Sequence, residues 1–445
     1  MVLDSLTSAR ALMGASLAFH IIFATIGIGL PLLLLIAEGL ALRTGDGMYR
    51  DMAKRWGRVA ALLFAVGAVS GTALSFEFGL LWPKWMEFAG GVIGFPFALE
   101  GFAFFIEAIF LSLYIYGWDR LSPRVHWLCA IPIVLCSAAS AFFVISVNGW
   151  MNQPAGFTVA NGKVASVDPF AVIFNPAMPY EVIHGTLAAY VAMGFGVAGV
   201  YAVAMLRGDH SVYNRKALTL GLAVAAVFTV IQIVSGDASA RFLAHNQPEK
   251  FAAMEAQFET ERGAPLRIGG FPDPETKTTP YAIEIPKLAS LLTFFDPDAE
   301  VRGLNSFPPN DVPDPRLVHY PFQVMVGIGS FLLFVAAWFW ATVWRRRAVR
   351  PGRPLLLAIV AAAPLGFVAL EAGWLVTEFG RQPWIIYKVM RVSEGVTTQQ
   401  GVGVVLLTFL LVYVVLTIGL LVLLLRERRR PVEGSARRTE GSGGA

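Results

Sequence analysis

The chain has 445 residues, 56% of them hydrophobic and only 15% charged, with a formal net charge of +4 and a mean hydropathy of +0.61. It is too apolar for a soluble protein of ordinary composition and belongs in a bilayer. The positive charge sits mostly in segments between apolar runs, where basic residues set topology and meet anionic lipid, so it is no evidence for nucleic acid.

A span takes roughly 20 mainly apolar residues. Nine stretches qualify, near 11–41, 59–80, 92–117, 127–147, 182–206, 217–236, 318–343, 355–377 and 402–425. They read as helices, because in lipid only helices and closed barrels satisfy their own backbone and no alternating barrel pattern is present. The predicted fold is an all-α polytopic membrane protein with nine transmembrane helices. Lys and Arg total 21 in the short segments 42–58, 118–126, 207–216 and 344–354 together with the tail, against 6 in the alternate set. The positive-inside rule therefore puts the N-terminus outside and the C-terminus in the cytoplasm. No basic residue precedes Arg10, and the first apolar run is too long for a signal-peptide core, so the first span is expected to be retained.

Spans one to six fill residues 1–236, an insert takes 237–317, spans seven to nine fill 318–425, and a tail follows from 426 to 445. In the insert, Phe251, Met254, Glu255 and Phe258 recur at helical spacing and predict a short surface helix within 239–262. From Gly263 to Pro315 the many prolines favour turns and extended chain. The tail after Arg430 is expected to be disordered. Gly194, Gly196 and Gly199 spell a dinucleotide fingerprint, but they lie inside an apolar span with no preceding strand, and small residues there serve close helix packing. Cys129 and Cys136 stand seven apart on one predicted helix, about 10 Å along its axis, too far for a disulfide.

Ionisable and ligating residues at depth carry the functional signal, since a charged side chain mid-span costs roughly 2.5–3.5 kcal/mol on insertion scales. His20 lies in the first span among apolar neighbours; it is either hydrogen-bonded to a neighbouring helix or a haem ligand. His184 stands at the outer end of the fifth span, Met325 near the outer end of the seventh, and Glu378 closes the eighth beside Arg381. Interfacial placement is the structural alternative for His184 and Glu378, and core filling the alternative for Met325. With odd spans running inward, all four fall in the outer half of the bilayer, and four candidate iron ligands at similar depth favour several closely spaced haems. Glu100 and Glu107, seven apart on the third span, share one helix face with Glu107 about 10 Å deeper. They suit a proton path that Ser140 and Asn148 could extend, or two acids bonded within the bundle.

Gly380-Arg381-Gln382-Pro383-Trp384, preceded by Gly373-Trp374 and Glu378, together with the runs Glu100–Glu107, Val147–Met151, Phe174–Pro176 and Met325–Gly329, resembles subunit I of the cytochrome bd quinol oxidases over essentially the whole chain. The resemblance implies three haems: a low-spin haem b held by His184 and Met325, and a high-spin haem b and haem d held by His20 and Glu378 in an order left open. Trp374 and Arg381 belong to the same cofactor-binding signature. It implies that Glu107 and Glu100 serve proton uptake from the cytoplasm, and that Lys250 and Glu255 serve quinol oxidation in an extracytoplasmic loop of the short type. The activity implied is oxidation of ubiquinol or menaquinol and reduction of dioxygen to water, without a pump, in the bacterial cytoplasmic membrane, alongside a second membrane subunit and in some members a very small third.

One departure stands out. Gln323 occupies the position, two residues before the methionine, where the family often has Arg; losing that charge is expected to lower the potential of a nearby haem and to mark a subtype. Two rival readings remain: a haem-bearing quinone reductase or electron carrier that leaves dioxygen alone, and a proton or ion transporter built on Glu100 and Glu107.

Overall fold

The computed structural model describes residues 4–428. Among the described residues, nine helices are long and apolar enough to cross a membrane. They are α1, Ser5–Thr44; α2, Gly47–Leu81; α3, Pro83–Tyr116; α4, Pro123–Asn152; α5, Met178–Leu206; α6, Val212–Asn246; α7, Pro315–Arg346; α8, Arg353–Gly380; and α9, Val402–Arg428.

Their ends follow local chemistry. Asp4, Asp46, Ser211 and Asp314 accept backbone N–H groups at the starts of α1, α2, α6 and α7, supplying acceptors that the first turn lacks. Gly45 ends α1 in the left-handed region at φ 69°, a conformation glycine adopts without a Cβ clash, and this lets α2 begin two residues later. Of the tail expected from 426 on, Arg426–Arg428 continue α9, and the disorder expected after Arg430 lies outside the described residues.

The chain divides into two compact units. One comprises residues up to Pro83, Leu99–Ala141 and residues from Thr397 on. Its α1, α2 and α9 share an apolar cluster of Phe23, Leu63 and Leu420, and Phe19 stacks on Tyr413 at 4.4 Å. The other comprises Lys84–Ala98 and Phe142–Val396, hence α5 to α8 and the insert. Here the glycines of the decoy fingerprint do what small residues do between membrane helices. A Cβ on Gly194 would lie 2.8 Å from the Ala225 nitrogen of α6, and one on Gly199 would lie 2.3 Å from the Ala363 Cβ of α8.

The insert differs from expectation in two ways. Helix α6 runs on to Asn246, past the expected boundary at 236, because Asp237–Asn246 contains no helix breaker before Pro248. The short helix that follows, Pro248–Met254, is buried rather than on the surface. Its charged residues find partners inside the protein: Glu249 accepts a 2.5 Å bond from the Tyr387 hydroxyl and lies 3.5 Å from the Lys388 ammonium. Phe251, Met254 and Phe258 then join Ala264, Ala289 and Leu304 in one core that also takes in Val318 of α7 and Val376 of α8. The proline-rich part is turns and short pairings, Glu261–Arg262 with Glu300–Val301 and Leu266–Ile268 with Ile283–Ile285, around a helix at Leu288–Phe294.

Two side chains one turn apart on α7 bind this insert. His319, fully buried, has Nδ1 2.8 Å from the Met254 carbonyl and Nε2 3.0 Å from the Gly269 carbonyl. The Gln323 amide accepts the Gly269 N–H at 3.1 Å and donates to the Arg267 carbonyl at 3.0 Å, pairing with the backbone as a strand neighbour would. With a net hydrogen bond contributing about 1 kcal/mol, Gln323→Ala is expected to raise local opening of this segment roughly tenfold or more. Trypsin cleavage at the exposed Lys277 reads this; an unchanged rate would mean the amide does not hold the segment down.

Candidate functional site

Both histidines singled out from the sequence sit against a neighbouring helix. His20 of α1 has Nδ1 2.9 Å from the Ser70 hydroxyl of α2, and His184 of α5 has Nδ1 2.9 Å from the Ser235 hydroxyl of α6. The Gln232 amide nitrogen lies 3.1 Å from His184 Nε2. In the same unit as His184, the Met325 sulfur of α7 faces Gly373 of α8, where a Cβ would stand 3.0 Å from it. The glycine of the Gly373-Trp374 pair thus leaves room for the thioether, and half-buried Trp374 follows it.

The end of α8 gathers several candidates. The Glu378 carboxylate accepts 2.6 Å bonds from the Asn148 amide and from one Arg381 nitrogen, Nη2. Arg381 therefore pairs first with Glu378 itself. Its Nε and Nη1 are buried and find no acceptor among the described residues. Lys250 reaches the same place: its ammonium lies 3.3 Å from both the Asn152 side-chain oxygen and the Thr377 carbonyl, and its stem runs over Gly380, whose Cβ would lie 2.7 Å from Lys250 Cε. Burial lowers the Lys250 pKa, Glu181 pulls it back, and Arg381 adds to the lowering. Buried guanidinium donors without a protein acceptor, beside a buried ammonium, suit an anionic group such as a haem propionate. With imidazole and thioether donors on α5 and α7, the donor set fits haem iron and its acidic side chains.

Glu255 caps the C-terminal end of the short helix that carries Lys250. Its carboxylate is buried with one oxygen unpartnered. Burial pushes its pKa up to about 7, against the pull of the Arg267 guanidinium. Arg267 is itself held by Glu284 at 3.0 Å, by Glu261 at 3.4 Å and by Gln257. Thus the residue that Gln323 grips by its backbone presents its side chain toward the acids of the insert. In the other unit, Glu100 accepts a 2.9 Å bond from Ser140 of α4, while buried Glu107 lines a small cavity with Gly27, Pro31 and Phe64.

Several further acids lie at depth and meet the criterion that singles out Glu100 and Glu107. Glu77, inside the second expected span, is buried, accepts a 2.6 Å bond from Ser16, and leaves its other oxygen unpartnered. Glu371, inside the eighth, has a buried unpartnered oxygen. Glu38, inside the first, binds His126 at 2.7 Å, and the other ring nitrogen lies 2.8 Å from the Tyr114 carbonyl. Glu181, three residues before His184, also buries an unpartnered oxygen.

Residues 8–432 match the family model for cytochrome bd terminal oxidase subunit I. A Bacillus subtilis (strain 168) chain, provisionally assigned as a cytochrome bd menaquinol oxidase subunit I, is 41% identical over 438 residues, covering 97% of this chain and 98% of its own length. The cytochrome bd ubiquinol oxidase subunit 1 of the same strain is 30% identical over 448 residues, covering 97% and 95%. The solved bd oxidase from Geobacillus thermodenitrificans superposes with a TM-score of 0.91 at 42% identity, over 96% of this chain and 99% of that one. Matched almost end to end, the chain belongs to the cytochrome bd terminal oxidase subunit I family.

Proposed function

We propose that this chain is the haem-bearing subunit of a bacterial respiratory quinol oxidase, which oxidises quinol at the outer face of the cytoplasmic membrane and reduces dioxygen to water. A quinol-oxidising role, haem cofactors and a multi-pass membrane setting come with the family. The observation that carries the reading is the family match across residues 8–432.

His184 and Met325 would hold a low-spin haem b, and His20 and Glu378 a high-spin haem b and haem d. When bound, these haems supply one-electron transfer and the iron at which dioxygen is reduced. The rest is protein chemistry. Arg381 and Lys250 offer buried positive charge to the acidic edge of a cofactor, and Lys250 and Glu255 flank the place where quinol would bind. Glu255, a carboxylate able to ionise near neutral pH, accepts a quinol proton and passes it outward. Glu107 and Glu100, with Ser140, carry protons inward from the cytoplasmic side. Proton release on one face and uptake on the other separates charge without a pump. Gln323 serves the insert by holding residues 267–269. The orientation with the N-terminus outside follows the distribution of basic loops. A second membrane subunit, and in some members a small third, would complete the enzyme. Menaquinol is the favoured substrate, since the 41% identical relative is assigned to menaquinol.

Met325→Leu removes the thioether while keeping the volume. It is expected to abolish or shift the low-spin signal in reduced-minus-oxidised spectra of the purified complex and to cut quinol-driven oxygen uptake at least tenfold. A haem-free purified complex, or haem without oxygen uptake, would reject the oxidase reading.

A second expectation concerns pH. A carboxyl raised to about 7 ionises as the pH passes through neutrality, so quinol oxidation should rise from pH 6 to pH 8. Glu255→Gln should flatten that limb and lower the rate by roughly 10²–10⁴-fold. Linkage acts in the opposite sense on stability. The folded state holds this proton more tightly than the unfolded one, so this group's contribution falls as pH rises from the ordinary carboxylate range to about 7. Steady-state rates and thermal unfolding across that window check both.

A further inference from the structure

We infer that Ser70 and Ser235 are positioning residues that decide which imidazole nitrogen His20 and His184 present to iron, each acting with the glycine that follows it. The inference rests on the reading that these histidines are haem ligands.

The tripeptide Val-Ser-Gly occurs twice in the chain, at 69–71 and 234–236. Both copies lie on a membrane helix, α2 and α6, packed against the helix that carries a histidine. A serine hydroxyl has one hydrogen to donate. Ser70 donates it to the Gly67 carbonyl at 3.0 Å and Ser235 to the Gln232 carbonyl at 2.9 Å, the back-bonding that helical serines favour. The same oxygens, 2.9 Å from Nδ1 of each histidine, can then only accept. Nδ1 must carry the hydrogen, and Nε2 keeps its lone pair. At His184 the opposite side agrees, because the Gln232 amide nitrogen, a donor, faces Nε2 at 3.1 Å.

The glycines shape the seats. A Cβ on Gly71 would fall 2.9 Å from His20 Cε1, and one on Gly236 would fall 3.1 Å from His184 Cε1, so a side chain at either place would push the ring. Two fully buried histidines give the contrast. His126 faces Glu38 and the Tyr114 carbonyl, and His319 faces two carbonyls, so both nitrogens of each are directed at acceptors. That arrangement suits a structural crosslink. The seryl seats instead place an acceptor at one nitrogen only, so Nε2 keeps a lone pair, which at His184 meets the donor amide of Gln232 and would be turned to the iron. An Nδ1–H···O bond also makes the imidazole a stronger donor to a metal.

The test uses the purified complete oxidase carrying Ser235→Ala, Ser235→Thr, Gly236→Ala or His184→Ala, with Ser70→Ala and Ser70→Thr as an independent pair. Readouts are haem retained in detergent, the reduced-minus-oxidised spectrum and the midpoint potential of each haem. Ser235→Ala should weaken retention of the low-spin haem roughly 10–100-fold. It should also raise that haem's midpoint potential, since a weaker donor stabilises the oxidised iron less. Ser235→Thr should restore both, and Gly236→Ala should displace the band although the hydroxyl remains. Ser70→Ala should alter only the other haem signals, with Thr again restoring them. The proposal fails if both serine-to-alanine variants leave potential and retention unchanged, or if Ala and Thr behave alike. It falls with its premise if His184→Ala keeps the low-spin signal, a result that would indict the ligand reading instead.

Discussion

Within the hydrocarbon layer no water is at hand to complete a hydrogen bond, and this constraint shapes the whole molecule. It makes every crossing segment a helix, because only then does the backbone satisfy itself. Side chains obey the same rule. Ser16 bonds Glu77, Ser140 bonds Glu100, and Ser70 and Ser235 bond the two histidines. Serine serves in two ways: Ser16 and Ser140 donate to a carboxylate on another helix, whereas Ser70 and Ser235 return their proton to their own helix and offer a lone pair to the next. Where the rule is broken, as at the two unpartnered nitrogens of Arg381, the breach itself points to a ligand.

Close helix approach is the second condition. The serine bonds cross between helices only because the backbones lie near one another, and glycine or alanine brings them there. Gly194 against Ala225, Gly199 against Ala363 and Gly366 against Ala192 pack α5 onto α6 and α8. The same smallness, moved to Gly71, Gly236 and Gly373, makes space for the His20 ring, the His184 ring and the Met325 sulfur. One residue type thus assembles the bundle and cuts its sockets.

The insert obeys different physics. It has its own apolar core around Phe251, Met254 and Leu304, joined to α7 and α8 through Val318 and Val376. His319 and Gln323 then fasten its backbone to α7. Glutamine at 323, where the family often has arginine, is better understood through this attachment than through charge. An amide carries both a donor and an acceptor and can match a backbone N–H and C=O together, which a guanidinium cannot.

Spans, helix class and family signature were legible in the sequence because each rests on local pattern: some twenty apolar residues in a row, or a run such as Gly380–Trp384. His20, His184, Met325 and Glu378 stood out for the same reason, as ligating or charged types in apolar company. The sequence also offered Glu38, Glu77 and Glu371 under that rule, yet did not say which acids matter, since that depends on partners far along the chain, such as Ser16 for Glu77. Burial of the helix Pro248–Met254 was illegible too, because its charged faces are satisfied by Asn152, Thr377 and Tyr387, one of them 138 positions away. Composition and periodicity by themselves determined that this chain crosses the membrane and which residues could ligate. Only the tertiary structure decided which ring nitrogen each histidine can offer, because a proton's place is chosen by the acceptor opposite, and that acceptor belongs to another helix.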